Sequence, residues 1–114
     1  MELQYSEVDN NIRLIKLSGK LDIVGTGEIE TKFAGYCNGE NVRVAVDLSN
    51  VDFLASIGIR LLILTDKSIA RRGGKMALVG PTPEVQCVLE LTGIPAIIPT
   101  YSQFESVEAV LMAS

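Results

Sequence analysis

The chain has 114 residues, carries a formal net charge of −4 and contains no histidine. The negative charge argues against a nucleic-acid partner, because binding to a phosphate backbone needs a basic face. The missing imidazole argues against most general-base and metal chemistry, in which histidine is the most frequent participant.

The chain opens with the pattern of a β-hairpin followed by a helix. Two strands are predicted, at residues 3–8 and 12–17, and the turn-forming run Asp9-Asn10-Asn11 joins them. Apolar side chains at helical spacing then predict a helix over residues 26–36, which starts in the loop Gly25-Thr26-Gly27.

The middle of the chain predicts a strand, a loop, a long helix and another strand. Residues 42–48 alternate in a period of two, which is typical of a strand, and residues 49–55 form a loop. Residues 56–72 predict a helix that is apolar around most of its circumference and therefore largely buried. Residues 75–79 predict the next strand.

The last third of the chain predicts two more helices with a short strand between them. Thr82 is the expected N-cap of a helix that begins at Pro83 and ends at Gly93. Residues 97–98 predict a short strand, and the run Ser102-Gln103-Phe104-Glu105 predicts a capping box before the final helix. The order β-β-α-β-α-β-α-β-α indicates an α/β fold with a mixed, mostly parallel sheet and an initial hairpin.

Residues 1–114 are predicted to form a single domain. Cys37 and Cys87 belong to no CxxC pair, so both are expected to be buried free thiols rather than zinc ligands. No signal peptide or membrane-spanning run is recognisable, which predicts a cytoplasmic protein without membrane insertion. Neither a cofactor nor a metal is expected.

Ser56 is the most promising functional residue, because it stands at the predicted start of the long helix. A helix N-terminus presents unpaired N–H groups, and the Ser56 hydroxyl could simply cap them. The same position would stabilise a phosphate by on the order of 1 kcal/mol. Phosphorylation of Ser56 could therefore change what docks there without unfolding the domain.

The segment around Ser56 resembles the signature of the STAS domain family, which includes the bacterial anti-sigma factor antagonists. The family pattern has a strand, Asp-Leu-Ser, a short loop with an aromatic residue, and a helix start of the form Asp-Ser-x-Gly-Leu. The matching residues here are Asp47-Leu48-Ser49, Phe53, Ser56 and Gly58. Three further stretches are similar to the family, namely residues 17–22, 73–75 and 88–94.

The resemblance implies a STAS-like fold and a protein that is bound and modified but has no active site of its own. In the family's antagonists, the unphosphorylated domain binds an anti-sigma factor that is also a GHKL-type serine kinase. The kinase phosphorylates the serine that matches Ser56, the complex separates, and a PP2C-type phosphatase restores the free serine. The partner surface implied here comprises Asp22, Gly25, Thr26, Gly27, Asp52, Ala55, Ser56, Ile57, Gly58 and Arg60.

Ala55 departs from the family pattern, which often has an aspartate at this position. The alanine lacks a charge that a kinase could recognise. The alternative function is therefore a constitutive STAS scaffold subunit of a transporter or signalling complex, without phosphate turnover. A stable complex that ignores ATP would favour this alternative.

Two other sites are weaker candidates. The loop Gly25-Thr26-Gly27 hints at a phosphate loop but lacks the third glycine and the Lys-Ser/Thr ending. Asp22, Asp47 and Asp52 could suggest a magnesium pocket, but Asp47 is better interpreted as a turn acceptor. Without a nucleophile–base pair, an enzyme is not expected.

Overall fold

The computed structural model describes residues 1–113, and one five-stranded sheet organises them. The strands are β1 (Glu2–Val8), β2 (Ile12–Leu21), β3 (Arg43–Leu54), β4 (Lys75–Val79) and β5 (Thr100–Tyr101). The helices are α1 (Ile23–Tyr36), α2 (Ser56–Arg71), α3 (Pro83–Leu91) and α4 (Phe104–Met112), with short 3₁₀ turns at Asp9–Asn11 and Ile94–Ala96.

The strands lie in the order β1-β2-β3-β4-β5. β1 pairs antiparallel with β2, and the three remaining pairs are parallel. The hairpin turn places Asn10 and Asn11 at φ of 67° and 59°, a left-handed region that asparagine tolerates better than most residues. The predicted mixed, mostly parallel sheet with its opening hairpin is confirmed.

Alternating side chains divide the core between the two faces of the sheet. Val44 and Val46 contribute to the larger cluster, which also contains Phe33 of α1, Leu62 of α2 and Leu89 of α3. Ala45 of β3 and Ala77 of β4 face the other way, toward Val107 and Leu111 of α4. Because successive strand residues point to opposite faces, the period of two in β3 supplies both clusters.

The long helix α2 lies on one face of the sheet and is only half-buried, so the expectation of a largely buried helix was wrong. Gly58, Leu62 and Ile69 are buried, whereas Leu64 is 52% exposed. A helix in an outer layer that packs on one face of a sheet buries one stripe, and its other apolar residues remain at the surface.

Two predicted strand boundaries were too short. β2 continues to Leu21 and β3 to Leu54, so strand takes up residues 49–54 of the predicted loop 49–55. Backbone pairing between β2 and β3 continues to Leu21 and Leu54, with register shifts on either side of Ser18 and Gly19. Polar side chains at this end of β3 face solvent while the backbone stays paired.

The C-terminal third contains one confirmed prediction and two errors. The Thr82 hydroxyl accepts a hydrogen bond from the Val85 N–H at 3.3 Å and caps α3, as predicted. The last strand lies at residues 100–101 rather than 97–98, because the 3₁₀ turn Ile94–Ala96 carries the chain onward before it pairs with β4. The capping box is absent, since Gln103 is the N-cap of α4 and makes no side-chain hydrogen bond.

Both cysteines are free, but only one is buried. Burial raises the pKa of the Cys37 thiol to about 12, so this thiol stays protonated at neutral pH. Cys87 is exposed, which contradicts the prediction that both are buried. Cys87 lies on α3 away from its buried residues Val85 and Leu89, so it faces outward.

The helices run antiparallel to the parallel strands, so α1, α2, α3 and α4 start at the carboxyl ends of strands (the carboxyl edge) and finish at the opposite, amino edge. There, cationic side chains bind the carbonyl groups that helix ends leave free. Arg13 and Arg72 hold the end of α1, while Arg43 and Lys75 hold the end of α4. Arg72 is the C-cap residue of α2, and its side chain binds the end of the neighbouring helix α1.

A pair of aromatic rings also joins α1 to the hairpin. Tyr5 of β1 stacks on Tyr36 at the end of α1, with ring centroids 4.2 Å apart and an angle of 4° between the planes. Tyr36 is the last residue of α1, so this contact fixes the end of the helix against the edge strand.

Candidate functional site

The candidate site is built where β2 and β3 end side by side at the carboxyl edge. Leu21 pairs with Leu54, and the Ala55 N–H donates to the Leu21 carbonyl at 3.0 Å. One residue later on each strand the chain turns into a helix, α1 after Asp22 and α2 after Ala55. Two helix N-termini therefore lie next to each other at this edge.

Ser56 is the first residue of α2, and its side chain is exposed. Ala55 is the N-cap and has no side chain that can accept a hydrogen bond. Among residues 1–113, the hydroxyl of Ser56 and the backbone N–H groups of Ser56 and Ile57 have no hydrogen-bond partner. Ser56 is thus a free hydroxyl beside free N–H groups, and its interpretation as the helix cap is wrong.

Asp22 has a structural role at the neighbouring helix. Its carboxylate accepts a hydrogen bond from the Gly25 N–H at 2.8 Å and caps α1. Helix α1 consequently begins at Ile23 rather than at Thr26, and neither Thr26 nor Gly27 is its cap. The loop Gly25-Thr26-Gly27 is the first part of a helix, so it is not a phosphate loop.

Two glycines of the candidate site are required by close packing. A Cβ atom on Gly25 would lie 1.9 Å from the Lys20 carbonyl oxygen, and one on Gly58 would lie 2.9 Å from Leu21 Cβ. Gly27 differs, because a Cβ atom there would meet nothing within 4 Å. Gly25 and Gly58 therefore allow both helices to start close against the end of β2.

Lys20 and Asp52 form an exposed charged pair near the site. Lys20 Nζ is 3.7 Å from Asp52 Oδ1 and 6.0 Å from the centre of the Phe53 ring, and both Lys20 and Asp52 are exposed. Asp47 lies further back, where its carboxylate accepts hydrogen bonds from the backbone N–H and hydroxyl of Ser49 at 2.8 and 2.6 Å. Asp47 is an acceptor for Ser49, as predicted, but both residues lie within strand β3 rather than in a turn.

The sequence pointed to Phe53 and Ile57 near Ser56, but it did not predict the exposed apolar pair at the start of α1. Ile23 and Val24 at the start of α1 are 75% and 70% exposed, and Phe53 and Ile57 are also exposed. Large apolar side chains clustered at one edge are typical of a protein interaction surface. The pattern that could have revealed them is the pair Ile23-Val24 immediately after the cap Asp22, before the first buried position of α1.

A groove between α1 and α2 continues this surface. Its volume is about 210 Å³, and its lining residues include Thr26, Glu30, Ile57 and Arg60. Thr26 is buried, and its hydroxyl has no hydrogen-bond partner in the described part of the chain. The structure therefore brings Thr26, Ile57 and Arg60 to one groove. Asp22, Gly25 and Gly58 do not line it and have structural roles instead.

The part of the chain from residue 1 to residue 113 holds no group of three or more His, Cys, Asp or Glu side chains that could bind a metal ion. None of its helices has the length and hydrophobicity needed to cross a membrane.

A family model for the STAS domain matches residues 5–107. BtrV of Bordetella bronchiseptica is 26% identical over 109 residues, which cover 96% of this chain and 93% of that protein. An anti-sigma F factor antagonist of Paenibacillus polymyxa is 26% identical over 103 residues and 89% of this chain, with 88% of that protein covered.

Solved structures share the same fold. An anti-sigma factor antagonist from Mycobacterium paratuberculosis superposes with a TM-score of 0.87 at 21% identity, covering 98% of this chain and 94% of the other. The unphosphorylated form of SpoIIAA, an anti-sigma factor antagonist, gives 0.76 at 19% identity, with 99% of both chains covered. The phosphorylated form of SpoIIAA, a Bacillus cell fate determinant, gives 0.68 at 19%, with 96% and 99% covered.

Proposed function

We propose that this chain, which belongs to the STAS domain family, is an anti-sigma factor antagonist whose partner binding is switched off by phosphorylation of Ser56. The names of its relatives support the antagonist function. The partner would be an anti-sigma factor that is also a GHKL-type serine kinase, and a PP2C-type phosphatase would remove the phosphate. The carboxyl edge around Ser56 is the surface proposed to bind the partner.

The observation that carries this proposal is the state of Ser56. Its hydroxyl is exposed and free of hydrogen bonds within residues 1–113, at the first position of a helix whose leading N–H groups are also free there. A kinase can reach such a hydroxyl without unfolding the domain. The phosphate then meets a partial positive charge rather than a hydrophobic core.

The surrounding apolar residues supply a physical reason for the switch. Ile23, Val24, Phe53 and Ile57 are exposed around Ser56 and would lose water contact against a partner. A phosphate in the middle of that patch adds about −1.5 to −2 charges and three strongly hydrated oxygens. Its desolvation opposes the apolar association, so the modified domain would separate from its partner.

Phosphorylation at Ser56 is expected to be detectable by intact-mass spectrometry. The domain is incubated with ATP and each GHKL-type serine kinase of its own organism, and the Ser56→Ala variant serves as control. We expect one phosphate on the wild-type chain and none on the variant. An unmodified wild-type chain, under conditions that phosphorylate a known antagonist, would contradict the proposal.

Binding of the partner kinase is expected to be at least about tenfold weaker for Ser56→Asp, because a fixed carboxylate in the apolar patch opposes burial as the phosphate does. Ser56→Ala should bind as tightly as the wild type, since it adds no charge. Isothermal titration calorimetry with the kinase measures both affinities. Equal affinities for Ser56→Asp and wild type would count against a charge-operated switch.

Ala55 favours a second candidate function, that of a constitutive scaffold subunit of a transporter or signalling complex. It leaves no carboxylate directly before Ser56, and the nearby Asp52 lies 3.7 Å from Lys20. A kinase that needs an acidic residue there would not recognise this chain. A co-purifying complex that stays intact in ATP would support the scaffold function.

A further inference from the structure

We infer that Arg60 is the internal partner of the phosphate on Ser56, so that modification adds an anion to the binding surface and also withdraws a cation from it. The inference rests on the proposed function and specifies how its switch works. Arg60 acts through its guanidinium group, which matches the geometry of phosphate oxygens.

The first argument is position. Ser56 and Arg60 are four residues apart on α2, and both are exposed. Side chains at this spacing lie on the same face of a helix, with Cβ atoms roughly 5–6 Å apart. A phosphate on Ser56 and a guanidinium on Arg60 can therefore meet without any movement of the backbone.

The second argument is that the side chain of Arg60 has no interaction partner in the described residues. The amino-edge cations bind carbonyl groups, and Lys20 lies against Asp52. Arg60 has neither a carboxylate within 4.0 Å nor a hydrogen-bond acceptor in the described 113 residues. A long cationic side chain without a partner at the proposed contact surface is available to a ligand.

The third argument is that Arg60 shares a groove with another unpaired donor, beside the start of α2. The Thr26 hydroxyl, 2% exposed and without a partner in the described residues, lines the same groove as Arg60. The backbone N–H groups of Ser56 and Ile57 are also free there. A groove that contains two unmatched donors, next to the free N–H groups at the start of the same helix, favours an anion at this place.

The acidic groups around the site leave Arg60 free for the phosphate. Glu30 of α1 lines the same groove but lies outside ion-pair distance of Arg60. Asp22 is engaged as the α1 cap, and Asp52 lies 3.7 Å from Lys20. A phosphate dianion four residues away is a stronger acceptor for Arg60 than the carboxylate of Glu30.

This pairing gives the switch two effects at once. In the unmodified domain Arg60 is free to bind a carboxylate of the partner. After modification, Arg60 binds the phosphate and is no longer available to bind that carboxylate. The binding surface thus loses a cation in the step that gives it an anion.

The test uses the full chain with phosphoserine incorporated at position 56 during translation, so it needs no kinase. Phosphorus-31 NMR follows the second ionisation of the phosphate, whose ordinary pKa is about 6. A nearby cation stabilises the dianion and lowers that pKa. We expect Arg60→Gln to raise it by about 0.5 pH unit relative to the wild-type side chain, and Arg60→Lys to give an intermediate value.

Arg71→Gln is the matched control. It removes the same charge from the same helix, but Arg71 is fifteen residues beyond Ser56, or roughly 22 Å along the helix axis. It should leave the phosphate titration unchanged. Identical titrations for Arg60→Gln and wild type, or equal shifts for both variants, would overturn the inference. Failure of kinases to modify Ser56 would instead concern only the proposed function.

Discussion

Replacing Gly25 by alanine is expected to destabilise the domain by roughly 3 kcal/mol or more, among the largest effects of a single methyl group. The added Cβ atom would lie 1.9 Å from the Lys20 carbonyl oxygen. That oxygen belongs to the backbone of β2 and cannot rotate away, so either the start of α1 or the end of β2 must shift. Thermal unfolding should show a midpoint lowered by on the order of 10–20 °C.

Gly27→Ala is the matched control for Gly25→Ala. It adds the same methyl group to the same helix two residues later, where a Cβ atom meets nothing within 4 Å. Alanine is the better helix former, so this variant should be more stable than wild type by about 0.5–1 kcal/mol. Opposite signs for the two variants would establish close packing as the cause. Equal stabilities would show that α1 can start elsewhere.

Replacing Arg72 by methionine is expected to lower the free energy of unfolding by about 3 kcal/mol. Its guanidinium donates to the carbonyl oxygens of Gly39 and Cys37 at 2.8 and 2.6 Å, and to the Ser68 hydroxyl at 2.5 Å. Methionine keeps much of the apolar stem but leaves these acceptors unpaired in a partly buried place. Urea denaturation measures the loss as a lower midpoint with an unchanged slope.

Arg71→Met provides the comparison for Arg72→Met. Arg71 is exposed at the end of the same helix, and the two substitutions change the net charge equally. Its expected effect is below about 0.5 kcal/mol, as for most surface substitutions. If both variants lost the same stability, net charge rather than the bonds to the end of α1 would be responsible.

The order of elements could be predicted because the sequence periods are clear. The alternation in β3 and the cap at Thr82 indicate a strand and a helix start by local physics alone. Strand ends were harder to predict, since Ser49, Asn50 and Asp52 have the polarity of a loop while their backbone stays in the sheet. Pairing with a distant strand keeps them there, and a local window does not contain that information.

The surroundings of Ser56 were only partly predictable for the same reason. The helix start at Ser56 follows from the sequence, but Ile23 and Val24 resemble core residues of a helix. Their exposure depends on where α1 begins, and the Asp22 cap moves that start three residues earlier than expected. The clash that excludes a side chain at Gly25 likewise arises between elements rather than within one.

The stacked rings of Tyr5 and Tyr36 have a consequence for spectroscopy. The chain has three tyrosines and no tryptophan, so its near-ultraviolet circular dichroism comes largely from tyrosine. Two parallel rings 4.2 Å apart are coupled chromophores, and they join the far end of α1 to β1. The domain thus carries an intrinsic optical probe of helix docking, away from Ser56. Because this chain has no tryptophan, excitation at wavelengths selective for tryptophan in a mixture would report only the tryptophans of the partner.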